Sequence, residues 1–183
     1  MQAELDPAER RQRIDDFLVQ AGADAIPHPG GTLRDHLHRT ADRLAAWNAP
    51  GWVVDAGRLH AAYGTDGFAP ALASPEDRSV VEEVVGARAE RLIHIYDCCD
   101  RSESYPTLGS ADPVVVDRWT GGHHRPPAVE LRWFLELTVA NELDVMTHNP
   151  AIRAEHGPSL AALFARWRPL LGDSARAAVD DEL

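Results

Sequence analysis

Between His28 and Phe68, two stretches of helical apolar spacing are joined by the four-residue turn Asn48-Ala49-Pro50-Gly51. A turn that short forces its two helices to run as antiparallel neighbours. The first stretch, from Thr32 to about Asn48, sets Leu33, His36, Leu37, Thr40, Ala41, Leu44 and Trp47 on one face. The second, from Trp52 to about Tyr63, turns Val53, Ala56, Gly57, His60 and Ala61 inward, small residues that let the neighbouring helix come close. Each buried stripe carries one histidine, so His36 and His60 are expected to meet in the core. The string Tyr63-Gly64-Thr65-Asp66-Gly67-Phe68 then closes the region. It reads equally as a helix end, with Gly64 as the left-handed cap and Phe68 plugging the core, and as a binding loop.

The rest of the chain repeats the helical pattern. Asp6-Pro7-Ala8-Glu9 opens a helix that buries Ile14, Phe17, Leu18 and Ala21 and ends at Gly22. Ser74-Pro75-Glu76-Asp77 is a second helix start, and the run to Asp100 breaks near Gly86 into two helices or one kinked one. Val114-Val115-Val116 is the one β-like run and is expected to pair with Thr107-Leu108 in a hairpin within 107–120; Gly121 to Pro127 reads as loop. A long helix from Pro127 to about His148 uses Val129, Trp133, Phe134, Leu137, Ala140, Asn141 and Asp144 or Val145. Pro158-Ser159 opens the last helix, which runs through Leu160, Leu163, Phe164 and Trp167 to Leu171, and the acidic tail 172–183 is expected to fray. The expectation is a mostly all-α bundle of six or seven helices forming one domain over 1–183, with its core in 6–171.

Composition narrows the function. The net charge is −11, which argues against nucleic acid or an anionic membrane as partner. All 18 basic residues are arginine, so a lysine Schiff base or general base is excluded. Cys98 and Cys99 are adjacent and point about 100° apart on a helix, which fits neither a disulfide framework nor a zinc motif. They read as small apolar residues at a helix end. No charged-then-apolar leader or long apolar run appears, so a cytoplasmic location is expected. Trp119, Trp133 and Trp167 read as core. His94, His148 and the pair His123-His124 read as surface residues. The five tryptophans and the apolar residues of the outer helices leave room for a homodimer.

A buried imidazole is neutral unless partnered, and a neutral ring serves as a transition-metal ligand, a proton-transfer group or a hydrogen-bonded core residue. For His36 and His60 all three readings stand. His60 as base, Tyr63 as phenolic donor and His36 as orienting group would make a metal-free catalytic set. His28, between Pro27 and Pro29, can reach over the same place, or lie on the surface. Arg78 and Glu90 read as an ordinary exposed ion pair, or as a buried pair that would support the site loops.

His36 in Asp35-His36-Leu37-His38-Arg39-Thr40, followed by Ala56-Gly57-Arg58-Leu59-His60, resembles the opening of the HD-domain superfamily. Its members include nucleotide phosphohydrolases, the hydrolase domain of alarmone enzymes and mixed-valent diiron oxygenases. The resemblance is strongest to a branch with His-Leu-x-x-Thr and then Ala-Gly-x-x-His-x-x-Tyr-Gly-Thr-x-x-Phe, met here at His36, Leu37, Thr40, Ala56, Gly57, His60, Tyr63, Gly64, Thr65 and Phe68. It implies an HD-like helical fold with a metal held by His36, by a His-Asp pair at His60 and by an aspartate near Ala140-Asn141. Two departures stand out: Ala61 follows His60 where the pair's aspartate belongs, and Asn141 replaces the late aspartate. Two imidazoles and an amide alone would hold the hard ions Mg²⁺ or Mn²⁺ poorly and a softer Fe²⁺ or Zn²⁺ better. With a carboxylate from Asp35, Asp66, Glu142 or Asp144, or the His28 ring, completing the set, the expected cofactor is a divalent transition ion (Fe, Mn or Zn).

The expected function is therefore an enzyme acting on a small polar metabolite. Its pocket is lined by His28, His36, His60, Tyr63, Thr65, Asp66 and Asn141, and its chemistry is metal-assisted hydrolysis or oxygenation, or metal-free acid–base catalysis. The alternative is a metal-free HD-like binding or interaction protein.

Overall fold

A computed structural model describes residues 6–183. The chain is mostly helical, with small antiparallel strand pairs between the helices. Helix α1 (Pro7–Gln20) buries Ile14 and Leu18 and ends at Gly22, whose φ of 76° is the left-handed conformation that glycine adopts without strain. The two-residue strands β1 (Pro27–His28) and β2 (Gly31–Thr32) form a small hairpin that leads into α2 (Leu33–Ala46). Helix α2 starts on a full capping box: Thr32 Oγ1 accepts from the Asp35 amide, and the Asp35 carboxylate accepts from the Thr32 amide.

The Asn48-Pro50 turn sends α3 (Gly51–Arg58) back along α2, the most extensive helix–helix packing among the described residues. Gly57 makes that approach possible, because a Cβ there would lie 2.7 Å from Leu44 Cδ1 and 3.2 Å from the Ala41 Cα. Helix α3 stops at Arg58, short of the expected Tyr63. The Tyr63 amide, which a longer helix would aim at the Leu59 carbonyl, donates instead to Asp97 Oδ2 at 2.8 Å, and the Ala62 carbonyl accepts from Leu72 and Ala73. A buried carboxylate thus outcompetes the last helical turn, and His60 sits in the turn rather than on the helix.

Helices α4 (Ser79–Val85) and α5 (Ala87–Cys98) are separate, with Gly86 between them at φ 84°. Ser74 closes only one turn through the amides of Glu76 and Asp77, so α4 starts later than the sequence suggests. A short α6 (Arg101–Ser104) precedes β3 (Val115–Val116). The partner of β3 is β4 (His123–His124), not Thr107-Leu108. Thr107 meets the β-run through its hydroxyl alone, which bonds both the N–H and the C=O of Val114. That satisfies Val114 and leaves Val115 and Val116 to pair within their own hairpin.

Helix α7 (Ala128–His148) runs through the centre, buried on nearly all sides from Leu131 to Met146, against α2, α5, α8 and α9. Val129, expected inward, is exposed near its start, and Trp119 is also partly exposed, under the guanidinium of Arg118. Helix α8 (Pro150–Trp167) begins eight residues earlier than expected because Asn149 Oδ1 caps the amides of Ala151 and Ile152. Pro158 lies inside it. Ala154, whose carbonyl that proline leaves unbonded, is exposed and can be solvated.

The acidic tail does not fray. It forms α9 (Asp173–Glu182), which packs on α7, buries Ala175 and meets arginines placed by other elements. Arg168 grips Asp180 with two bonds of 2.6 and 2.8 Å, and Arg43 of α2 pairs with Glu182. No helix among the described residues is long and apolar enough to cross a membrane.

Candidate functional site

Helices α2 and α7 and the turn after α3 bring three polar side chains to one point. His36 Nε2 lies 3.1 Å from His60 Nε2, and Asn141 Oδ1 lies 3.0 Å from each ring nitrogen. All three residues are buried. Their outer atoms define what the inner ones carry. His60 Nδ1 is 2.8 Å from the Gly57 carbonyl, which can only accept, so the proton of the neutral ring sits on Nδ1. Burial, then the nearness of His36, push the His60 pKa down to about 3, so the ring is neutral and its Nε2 is a bare lone pair.

His36 Nδ1 lies 2.6 Å from Asp144 Oδ2, which places its proton on Nδ1 too. Burial would raise the Asp144 pKa, but the His36 bond and the Arg39 guanidinium overcome it and bring it to about 2. Arg39 donates to both carboxylate oxygens, at 2.7 and 3.0 Å. Asn141 Nδ2 donates to Glu142 Oε1 at 3.0 Å, which turns Oδ1 toward the histidines. Three acceptors therefore face one another with no donor among them when both rings are neutral. A proton added to His36 Nε2 would still leave His60 Nε2 and Asn141 Oδ1 as opposed lone pairs.

This donor set fits a divalent transition ion. With metal–ligand bonds of about 2.1 Å, adjacent ligands on an octahedral ion lie about 3.0 Å apart, the spacing of these three atoms. The carboxylate on the far nitrogen of His36 and the carbonyl on that of His60 are the outer partners that metal-bound histidines usually have. No carboxylate joins the set. Asp35 caps α2, Asp66 Oδ2 accepts from the Arg101 amide, Glu142 is held by Arg101 and Asn141, and Asp144 serves His36 from behind. Among the described residues, no cluster of three His, Cys, Asp or Glu ligand atoms forms here.

A cavity of about 280 Å³ opens on the three atoms, and His28, His36, His60, Thr65, Asp66 and Asn141 all line it. Ala61, where the resemblance to the HD superfamily would expect an aspartate, lines it as well. His28 stacks on His36 with ring centres 3.9 Å apart, and burial first, then His36, lower its pKa to about 4. Arg39 holds the loop of His28 through the carbonyls of Pro29 and Gly30. Thr65 and Phe68 exchange two backbone bonds, a tight turn that presents Asp66 and Gly67 at the rim.

Tyr63 does not join this group. Its hydroxyl points the other way and donates to Glu90 Oε1 at 2.9 Å. Glu90 in turn is clamped by Arg78, in a pairing that buries the carboxylate and leaves the guanidinium partly exposed. The sequence reading missed Arg39, Arg101 and His156. Arg39 carried a signal, because it stands three residues after His36 just as Asp144 stands three after Asn141, one face apiece on two helices. Arg101 and His156 reach the cavity only through the packing of α6 and α8.

Comparison with known proteins adds little to this geometry. Neither the curated proteins nor the solved structures include a match to the chain. Residues 17–101 match a family model described as a domain of unknown function (DUF6817), a span that holds His28, His36, His60, Thr65 and Asp66 but ends before Asn141 and Asp144.

Proposed function

We propose that this chain is a small-molecule enzyme of HD-like type, acting on a polar metabolite in the His36/His60/Asn141 cavity with a divalent transition ion. One observation carries the reading: two imidazole nitrogens and an amide oxygen converge within 3.0–3.1 Å, all three of them acceptors when both rings are neutral. Three such lone pairs repel one another, and a cation bound between them satisfies all three at once. His36, His60 and Asn141 would hold the ion, which when bound supplies a Lewis acid and an activated water.

The other residues have roles of their own. Asp144 and Arg39 lock the His36 ring in the tautomer that leaves Nε2 free. His28, neutral near pH 7 and half-buried beside His36, can take a proton from a substrate or water. Arg101 and Glu142, bonded to each other at 2.9 Å, give the wall both charges, which suits a polar ligand. Phe68 supplies an apolar edge against His28.

The second reading is a binding protein that has lost catalysis, favoured by the lack of any carboxylate in the donor set. Metal analysis of protein purified without chelator tests the proposal. In a Cys98→Ala background, which removes the other candidate metal cluster among the described residues, about one equivalent of Fe, Mn or Zn, lost on adding His60→Ala, is expected; a folded Cys98→Ala protein that stays metal-free when offered these ions would overturn it.

A further inference from the structure

Away from the histidine cavity, the end of α5 and the β3–β4 hairpin gather a second group. Cys98 is the last residue of α5, Asp117 follows β3 and His124 lies in β4. Their ligand atoms all lie within 4.8 Å of one another. We propose that Cys98 Sγ, Asp117 Oδ2 and His124 Nε2 form a second divalent-metal site of zinc type, which ties the hairpin to the end of α5.

None of the three atoms is held by a close partner. Asp117 spends Oδ1 on the amides of Trp119 and Thr120, at 2.8 and 3.1 Å, which leaves Oδ2 available. His124 Nε2 is buried and has no hydrogen-bond partner; the nearest carboxylate oxygen, Asp117 Oδ2, is 3.7 Å away and beyond bonding reach. Buried ring nitrogens are nearly always partnered, so this one calls for an explanation. Cys98 Sγ makes only a long contact of 3.6 Å with the Ile95 carbonyl.

The frame is set without metal. Asp100 donates to the Val116 carbonyl and Arg118 to the Cys98 carbonyl, both at 2.8 Å, so the ligand-bearing segments are already fastened together. A sulfur, nitrogen and oxygen set with a soft thiolate selects zinc over magnesium or calcium. Burial raises the thiol pKa above its ordinary value, and metal binding would displace the proton to solvent as the Zn–S bond forms. His124 also lines a cavity of about 380 Å³ with His94 and Glu90, which gives an ion or water a path to its ring.

Cobalt(II) titration of the full chain tests this, because only a thiolate ligand produces a sulfur-to-cobalt charge-transfer band. The band should saturate near one equivalent, be displaced by Zn²⁺, survive in Cys99→Ala and in His36→Ala/His60→Ala, and vanish in Cys98→Ala. His124→Ala, a change on the hairpin that spares the core, should weaken cobalt binding by at least about tenfold, the loss that even an outer-shell change can bring. No band in the folded wild-type protein, a band that persists without Cys98, or unchanged affinity in folded His124→Ala would each overturn the site. The double histidine variant keeps this outcome distinct from the fate of the first cavity.

Discussion

The Nε2 of His60 and the Oδ1 of Asn141 stand 3.0 Å apart as two acceptors, each with its proton-bearing atom turned to another partner. Asn141→Asp replaces the amide with a carboxylate of the same shape. Mn²⁺ affinity, measured by calorimetry, should then rise on the order of tenfold, because a hard ion gains an anionic oxygen. Without metal the same variant should melt lower than wild type, since its new charge would sit beside the buried Glu142. Unchanged Mn²⁺ binding would remove the metal reading of this triad.

Asp144 couples the site to stability. Its pKa falls to about 2 in the folded protein, below its ordinary value near 4. A depressed carboxylate stabilises the fold above its unfolded pKa, and that contribution is lost as the pH falls from about 4 to 2. Asp144→Asn should lower stability by about 2 kcal/mol at pH 7 and by far less at pH 2.5, read from urea midpoints. An equal loss at both values would show that the His36–Asp144–Arg39 linkage is not ionic.

Gly30 lets the His28 loop lie on the His148 ring. Its φ is 79°, and a Cβ there would stand 2.5 Å from His148 Cδ2 and 2.9 Å from His148 Cβ. Gly30→Ala should therefore cost about 2–3 kcal/mol, combining left-handed strain with overpacking. Because Arg39 holds the same loop, ligand binding at the cavity should weaken as well. A variant as stable as wild type would mean that the loop relocates at no cost.

Pro158 breaks one hydrogen bond within α8 at an exposed position. Pro158→Ala should restore the bond to the Ala154 carbonyl and raise stability by roughly 1–3 kcal/mol, the usual cost of an interior proline. Thermal melting reads the change directly. Destabilisation instead would indicate that the proline helps place Ile152 and His156 against the cavity.

Much of the first half was legible because its signals are local. The spacing of Leu33, His36, Leu37 and Leu44 and the short Asn48-Pro50 turn define α2, α3 and their antiparallel contact, and so the meeting of His36 and His60. Asn141 was legible as an inward residue of α7. The end of α3 was not, since it depends on Asp97, which lies 34 residues beyond the Tyr63 amide it binds. The tail reads as a solvated acidic segment for the same reason: the sequence displays the charges of Asp180 and Glu182 but not the arginines that reach them. The adjacency of Cys98 and Cys99 argued against a metal site, because spacing along a helix says nothing of a hairpin that returns against its end.

The sequence by itself determined the helical periodicity, the caps and the inward histidines, all of which depend on neighbours within a turn or two. Only the tertiary structure decided what those histidines face. That His36 has Asp144 behind it and Asn141 before it, that Ala61 opens on the cavity, and that a buried nitrogen of His124 lies near Cys98 and Asp117 all depend on contacts between distant segments. Helix and strand periods carry no information about such contacts, which are set by how the helices pack and where the buried charges find their partners.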